Sequence, residues 1–295
     1  MTALFAAWLG LAAISTDGST SDPPHPCRAQ LVSGVEEAQA GRPFDVAIRI
    51  TPDPHWHVYW HSPRDGGMPT EVIWKLPEGF RAGALRWPIP QRFEEEGNLI
   101  SYGYEGEFWL LAEVTPPKEF SGTANIAAEV AWLVCKESCY PGSAEVSIRV
   151  PVGQEPAQPS KHAKAIAEWN ARIPAEARSV AVKSSVAERE GETYWSLSAR
   201  LGEDTRPGSI RVFPFDPPQA RVSEPKFSWK SGELSWSTSV RVGGTQFKPD
   251  ALAALVIYEV SPAASAGAGK TAGPKKPASK KVIRRAVVVR HREKR

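Results

Sequence analysis

Alternation of apolar and polar residues is the dominant pattern along the first half of the chain. Within residues 44–50, Phe44, Val46, Ile48 and Ile50 fall on one face of an extended strand, which is typical of a strand with one buried side. Similar short runs recur from residue 29 to residue 150, separated by turn signals that contain Gly or Pro. Many short strands at this spacing predict a β-sandwich.

The pattern changes between residues 156 and 174. Ala163, Ile166, Ala167 and Trp169 fit a weakly amphipathic helix that ends before Pro174. Strand-like runs then return from Val180 onwards. We therefore predict an all-β chain of two sandwich domains, residues 27–152 and the smaller 179–295, joined by a short helical linker at 153–178.

The C-terminal region combines a low-complexity segment with a β-prone run. Residues 261–280 are rich in Ala, Gly, Lys and Pro, a composition that cannot pack a core. Residues 282–290 are strongly β-prone, and we expect them to form the last strand and to pair with residues 252–260. An unstructured basic tail is the alternative.

Charge is distributed unevenly along the chain. Residues 270–295 hold eleven Lys or Arg and one acid, Glu293, so the rest carries 25 bases and 32 acids although the whole chain is +3. The body is mildly acidic, and no basic face is interleaved with base-reading groups. We therefore expect no nucleic-acid partner.

The N-terminus resembles an export signal. Residues 4–14 form an apolar run that is too short to span a bilayer. We interpret residues 1–26 as a signal-peptide-like segment with a flexible N-terminus, and we expect no transmembrane segment in the mature chain. A buried N-terminal segment is the alternative. Export to the periplasm, or outside the cytoplasm generally, would allow disulfides to form.

Two of the three cysteines, Cys135 and Cys139, lie four positions apart. In an extended strand four steps span roughly 13 Å, whereas a disulfide needs Cα atoms within about 7 Å. The three residues between them must therefore curl if the pair is to close. The spacing leaves three possibilities: a redox-active pair, a structural disulfide and a metal site.

The metal possibility depends on a stretch rich in histidine. His55, His57, His61 and Met68 could join the two cysteines in a Zn or Cu site. The chain has no Cys-x-x-Cys pair, and nothing in the sequence brings the two stretches together, so we predict no metal ligands. The third cysteine, Cys27, is interpreted as an incidental thiol or a site of intermolecular pairing.

An acidic loop and nearby aromatic residues are further candidates. They could be a solvated loop with edge packing, or they could form an aromatic lid over the dithiol with a carboxylate that helps to move its proton. The candidate cap and proton-transfer residues are Phe93, Glu95, Glu96, Tyr102 and Tyr104.

Taken together, several motifs resemble the N-terminal periplasmic domain of the DsbD-type thiol:disulfide interchange proteins, in the ScsB-like branch. The matching stretches are WHVYW at 56–60, PRDGGMPT at 63–70, LPEGF at 76–80, WPIP at 87–90, YGYEGE at 102–107 and WLVCKESC at 132–139. They span about residues 29–152, and the second half resembles the companion domain of that branch.

The resemblance implies an immunoglobulin-like sandwich with the cysteine pair at one end. In this family the pair takes electrons from a membrane-embedded thiol carrier of the DsbD or CcdA type and passes them to periplasmic thioredoxin-fold proteins, without a cofactor. The family pattern implies that Cys139 is the attacking thiol and Cys135 its partner. It also implies a mobile aromatic cap with acidic residues, and residues 93–96 fall at that place.

Two features depart from the family pattern. The cysteines are closer together than in the best-known members, and the chain lacks the membrane carrier and the thioredoxin domain. We therefore expect a disulfide-reductase component that depends on a membrane partner. The competing hypothesis is a non-catalytic binding module with a structural disulfide.

Overall fold

Strand β3 shows how the alternating pattern builds the fold. It spans Phe44–Pro52 and pairs antiparallel with β1 (Cys27–Ser33) and β9 (Phe108–Thr115). Its Val46, Ile48 and Ile50 are fully buried in the main core. The computed structural model describes residues 25–95, 97, 99–176, 180–217, 220–243, 247–260 and 283–291.

Two sheets enclose this core in the N-terminal half. The first has the order β1, β3, β9 and β6 (Arg81–Ala82). The second has the order β12 (Gln158–Pro159), β2 (Val35–Gln39), β11 (Cys139–Gly153), β10 (Gly122–Cys135), β4 (His57–Arg64), β8 (Leu99–Glu105) and β7 (Gln91–Glu95), and β5 (Glu71–Lys75) also pairs with β10. Apolar residues of both sheets form one cluster, so this half is a sandwich.

The C-terminal half contains two further sheets around a second cluster of buried residues. One has the order β13 (Ala175–Glu176), β21 (Ile283–Arg290), β20 (Ala253–Val260) and β16 (Arg211–Pro214). The other has the order β14 (Ala181–Arg189), β15 (Glu192–Arg200), β19 (Glu233–Val242) and β17 (Ala220–Val222), and β18 (Lys226–Lys230) pairs with β19. Short 3₁₀ turns occur at Pro207–Ser209 and Pro249–Ala251.

The segment predicted as a linker is packed on the N-terminal sandwich. Its helix α1 spans Ala163–Asn170 and buries Ile166 against Val32, Ala47 and Leu111 of the first sheet. This contact explains why Ala47 is buried although it lies on the opposite side of β3 from the main core. Before the helix the segment pairs with β2, and after it β13 pairs with β21.

The β-prone run near the C-terminus forms β21, which pairs antiparallel with β20. Ala253 lies opposite Arg290 at one end of this pairing, and Val260 lies opposite Ile283 at the other. The low-complexity segment 261–280 and the signal-like residues 1–24 lie outside the described residues.

The main core also includes Phe213, Leu255 and Ile257 of the C-terminal half. The mainly β prediction is confirmed, whereas the division into two domains stays a prediction.

Histidine 61 lies where the two halves meet. Its imidazole packs against the rings of Trp87 and Phe215, at centroid distances of 5.3 and 4.8 Å. Burial lowers its pKa to about 4, and the charge of Arg290 acts in the same direction. The folded protein therefore holds His61 neutral at a pH at which an unfolded histidine is protonated.

This pKa predicts a loss of stability in mild acid. Between about pH 6.5 and pH 4 the unfolded chain binds the extra proton, so the free energy of unfolding falls as the pH is lowered through this window. We expect His61 to contribute a loss of roughly 2 kcal/mol between pH 7.5 and pH 5, measured by urea unfolding. The His61→Phe variant should lose this contribution, and the exposed-site control His55→Asn should keep it. An equal pH dependence in His61→Phe and the parent protein would contradict the prediction.

Candidate functional site

The cysteine pair closes the hairpin between the two longest strands of the second sheet. Cys135 ends β10 and Cys139 begins β11, and the two are direct partners in the register. Residues 136–138 form the turn, in which Lys136 N donates to Ser138 O at 3.2 Å. The chain curls as closure requires: the Cα atoms lie 4.1 Å apart, and the sulfurs form a disulfide.

The two sulfurs are in different environments. Cys135 is buried, with 2% of its surface exposed, whereas Cys139 is exposed. Tyr140, which follows it, is 50% exposed, and its ring lies 5.6 Å from that of Trp56. Of the two cysteines, Cys139 is therefore the one at the surface, next to an aromatic contact.

Register places a set of polar and aromatic side chains on the face of the sheet that carries Cys135. Cys135 lies opposite His57 of β4, and His57 lies opposite Glu105 of β8. Because side chains alternate along a strand, Tyr59 of β4 shares the face of His57. Phe93 and Glu95 of β7 share the face of Ser101, the register partner of Phe93.

Tyr59 connects the buried sulfur to a carboxylate. Its Oη lies 3.3 Å from Cys135 Sγ and 3.5 Å from Glu95 Oε1. A hydroxyl has one proton, so it donates to one of these acceptors at a time. Burial, together with the charge of Glu95, raises the pKa of Tyr59 to about 12, which keeps the hydroxyl protonated at neutral pH. Ser101 Oγ also donates to Glu95 Oε1.

His57 lies beside this network. Its Nε2 is 3.5 Å from Glu95 Oε1, but the geometry does not satisfy a hydrogen bond. The ring of Phe93 stacks on the imidazole at 4.6 Å. Burial lowers the pKa of His57 against the opposing effect of Glu95. The cap candidate Phe93 thus covers the register neighbour of Cys135.

The remaining candidates lie elsewhere. Tyr102 and Tyr104 point to the opposite face of β8, into the main core. Tyr102 contacts the ring of Phe213 at 4.9 Å, and Tyr104 donates to Pro88 O at 2.8 Å. Glu96 lies outside the described residues. The structure therefore brings Phe93 and Glu95 to His57 and Tyr59, the neighbours of Cys135, and places the two tyrosines in the core.

Tyr59 and Ser101 are part of the site but are not among the residues that the sequence predicts for it. A signal for Tyr59 was present: it lies two positions after His57 in an extended run, so both side chains had to share a face. For Ser101 the sequence carries no comparable signal, because its contact with Glu95 depends on the pairing of β7 with β8.

The histidines considered as metal ligands are dispersed. His55 is exposed near Glu105, with Nδ1 3.7 Å from Oε1, and His61 lies between Trp87 and Phe215. Met68 is 59% exposed. Among the residues that the structure describes, no group of three or more His, Cys, Asp or Glu side chains could hold a metal ion.

Cys27 differs from the paired cysteines because it is buried in the main core. Burial raises the pKa of its thiol to about 12. A thiol that stays protonated is a poor nucleophile, so this cysteine is an apolar core residue at neutral pH. Burial also opposes a disulfide between two molecules at this position.

Comparison with known proteins agrees with this geometry. Residues 28–151 match the family model described as "Thiol:disulfide interchange protein DsbD, N-terminal". The fold is similar to the crystal structure of the N-terminal periplasmic domain of ScsB from Proteus mirabilis, with a TM-score of 0.61 and 17% sequence identity over 92% of this chain and 95% of that chain. The comparison with curated protein sequences found no match.

No helix within the described ranges is long and apolar enough to cross a membrane. The family match confirms the resemblance inferred from the sequence, and the fold agrees with the immunoglobulin-like domain that the resemblance implied. The family match supports a thiol:disulfide interchange module, and the two cysteines of the matched region lie at disulfide distance. Residues 28–151, including the hairpin that carries Cys135 and Cys139, therefore match the family model of DsbD N-terminal domains.

Proposed function

We propose that this protein is an exported relay for electrons, in which Cys135 and Cys139 alternate between a dithiol and a disulfide. The observation that carries the proposal is the unequal pair: an exposed residue, Cys139, bonded to a buried one, Cys135, whose sulfur faces a tyrosine hydroxyl. The family match supports a membrane-embedded thiol carrier as the electron donor and periplasmic thioredoxin-fold proteins as acceptors.

Electron uptake begins at the exposed sulfur. A thiolate of the donor attacks Cys139 Sγ, a mixed disulfide forms, and Cys135 leaves as a thiolate. A second thiolate of the donor then attacks the donor sulfur of the mixed disulfide. This step oxidises the donor to a disulfide and releases Cys139 as a thiolate, so the donor's two electrons now reside on the cysteine pair.

Electron delivery uses the same two sulfurs in reverse. The Cys139 thiolate attacks the disulfide of the acceptor, whose second sulfur leaves as a thiolate. Cys135 then attacks Cys139 Sγ, which re-forms the Cys135–Cys139 disulfide and releases the acceptor as a dithiol. Cys139 is thus the nucleophile towards the partner, and Cys135 resolves the mixed disulfide.

The Tyr59 hydroxyl acts at the buried sulfur. When Cys135 carries a negative charge, Tyr59 donates to it, and a hydrogen bond to the charged form favours that form. When the disulfide re-forms, Tyr59 can turn its proton back to Glu95. In this proposal Glu95 holds the Tyr59 hydroxyl in place, and Phe93 shields the network by covering His57.

The redox potential of the pair tests this function against a structural disulfide. Structural disulfides have potentials below about −300 mV, and a relay must lie above that value to be reduced and oxidised by its partners. Equilibration of the Cys27→Ala protein with glutathione or dithiothreitol buffers, read by thiol alkylation, gives the potential. A value below about −300 mV would favour a structural disulfide. Metal analysis of the purified protein tests the remaining alternative, a Zn or Cu site.

A further inference from the structure

The segment from Arg64 to Thr70, here called the strap, connects the C-terminal half of the chain to the network at Cys135. Its first residue ends β4 and is buried, with 8% of its surface exposed. Arg64 Nη1 donates to Val222 O of β17 at 3.0 Å, and Arg64 O accepts from Arg221 Nη1 at 3.0 Å. The first residue of the strap therefore donates one hydrogen bond to the C-terminal half and accepts another from it.

The rest of the strap lies against Tyr59 and Glu95. Gly67 has a φ of +85°, and a Cβ added to it would lie 2.4 Å from the Tyr59 ring. A Cβ on Gly66 would lie 3.6 Å from Glu95 Oε2. Thr70 Oγ1 donates to Tyr59 O at 3.3 Å. The strap backbone thus packs directly on the ring whose hydroxyl faces Cys135.

The other side of the strap borders open space. A cavity of about 630 Å³ lies between the two halves, and its walls include Gly67, Pro69, Asp216 and Arg221. Because this side has room for movement, the position of the strap depends on the hydrogen bonds that anchor it. The anchor within the strap is Asp65, whose N donates to Ile100 O at 3.1 Å and whose Oδ2 accepts from Ile100 N at 3.0 Å.

We infer that Arg64 is a positioning residue for thiol–disulfide exchange: held by the C-terminal half, it fixes the strap so that the Tyr59 hydroxyl stays on Cys135. This inference rests on the proposed function, because it concerns the hydrogen bond to the Cys135 thiolate. It also assigns a role to the C-terminal half, which carries no cysteine but sets the environment of a sulfur in the other half.

The rate at which dithiothreitol reduces the disulfide tests the inference. Attack at exposed Cys139 expels Cys135, and a stabilised leaving thiolate departs faster. We expect Tyr59→Phe to slow reduction by roughly tenfold and Arg64→Ala by roughly threefold, because a hydrogen bond to the leaving sulfur is lost or weakened. A residue that merely stabilised the fold would act oppositely, since loosening would expose the disulfide and speed its reduction.

Three further variants make the test independent of folding defects. Arg221→Ala removes the hydrogen bond to Arg64 O from a side chain that is 63% exposed. It therefore tests the attachment of Arg64 to the C-terminal half even if Arg64→Ala does not fold. Arg211→Ala is the matched control, because Arg211 Nη1 also donates to backbone carbonyls, those of Gly208 and Ile210, at 3.0 and 2.9 Å. In Tyr59→Phe/Arg221→Ala the two effects should not add.

The inference is overturned if dithiothreitol reduces the disulfide of Arg221→Ala at the parent rate or faster. It is also overturned if Arg221→Ala slows the reduction by the same factor in the Tyr59→Phe background as in the parent protein. These outcomes are separate from failure of the proposed function. The dithiothreitol rate can be measured whatever the redox potential of the pair, whereas the relay fails on the potential itself.

Discussion

A Cys135→Ala variant will form a stable mixed disulfide through Cys139 much faster than a Cys139→Ala variant forms one through Cys135. The exposed Cys139 thiol is free to attack, and without Cys135 nothing resolves the product. In Cys139→Ala the remaining thiol is the buried one, and access limits thiol reactivity. We expect its reaction to be slower by on the order of 100-fold.

The measurement uses a thioredoxin that keeps one active-site cysteine, bonded to nitrothiobenzoate. Attack by the variant thiolate forms the protein–thioredoxin disulfide and releases the yellow nitrothiobenzoate thiolate, whose absorbance gives the rate. Both variants carry Cys27→Ala, so the reacting thiol is unambiguous. In urea the two variants should react at similar rates, which would assign the difference to the fold. Faster trapping by Cys139→Ala in the folded protein would reverse the roles assigned here.

Truncation of Trp60 will destabilise the protein more than truncation of Trp56. Trp60 is 2% exposed in the main core and packs on Phe215 of the C-terminal half at 5.0 Å. Its Nε1 has no hydrogen-bond partner among the residues that the structure describes, so the loss consists of apolar packing. We expect Trp60→Ala to lower the free energy of unfolding by about 3–5 kcal/mol.

The control lies four residues earlier in the same stretch. Trp56 is half-buried against Tyr140, and Trp56→Ala should cost about 1–2 kcal/mol, since less apolar area leaves the core. Urea unfolding of the oxidised variants gives both values. Equal costs would mean that Trp60 is not the core residue that the structure shows.

The cysteine hairpin shows what the sequence could establish. Spacing alone required residues 136–138 to curl, and the structure has that turn between directly paired strands. Spacing does not show which of the two cysteines is buried, because burial depends on what covers each of them. Cys135 is covered by β4 and its side chains, a contact between residues more than seventy positions apart.

The aromatic candidates show the limit of local reasoning. Nearness in sequence and aromatic character make Tyr102 and Tyr104 cap candidates together with Phe93 and Glu95. Pairing of β8 with β4 placed Tyr104 opposite Val58 and turned it to the core, since side chains alternate across a sheet. The same alternation places Tyr59, which the local pattern does not single out, on the face of Cys135.

Local patterns in the sequence are enough to show that the chain is mainly β, that about residues 29–152 resemble a DsbD N-terminal domain and that Cys135 and Cys139 could close, because periodicity, turn residues and motif spacing are local properties. Folding in three dimensions sets which cysteine of the pair is exposed, which hydroxyl faces the sulfur of the buried one and how Arg64 connects the C-terminal half to that hydroxyl. Each of these depends on strand register and on packing between distant segments, which local patterns do not encode.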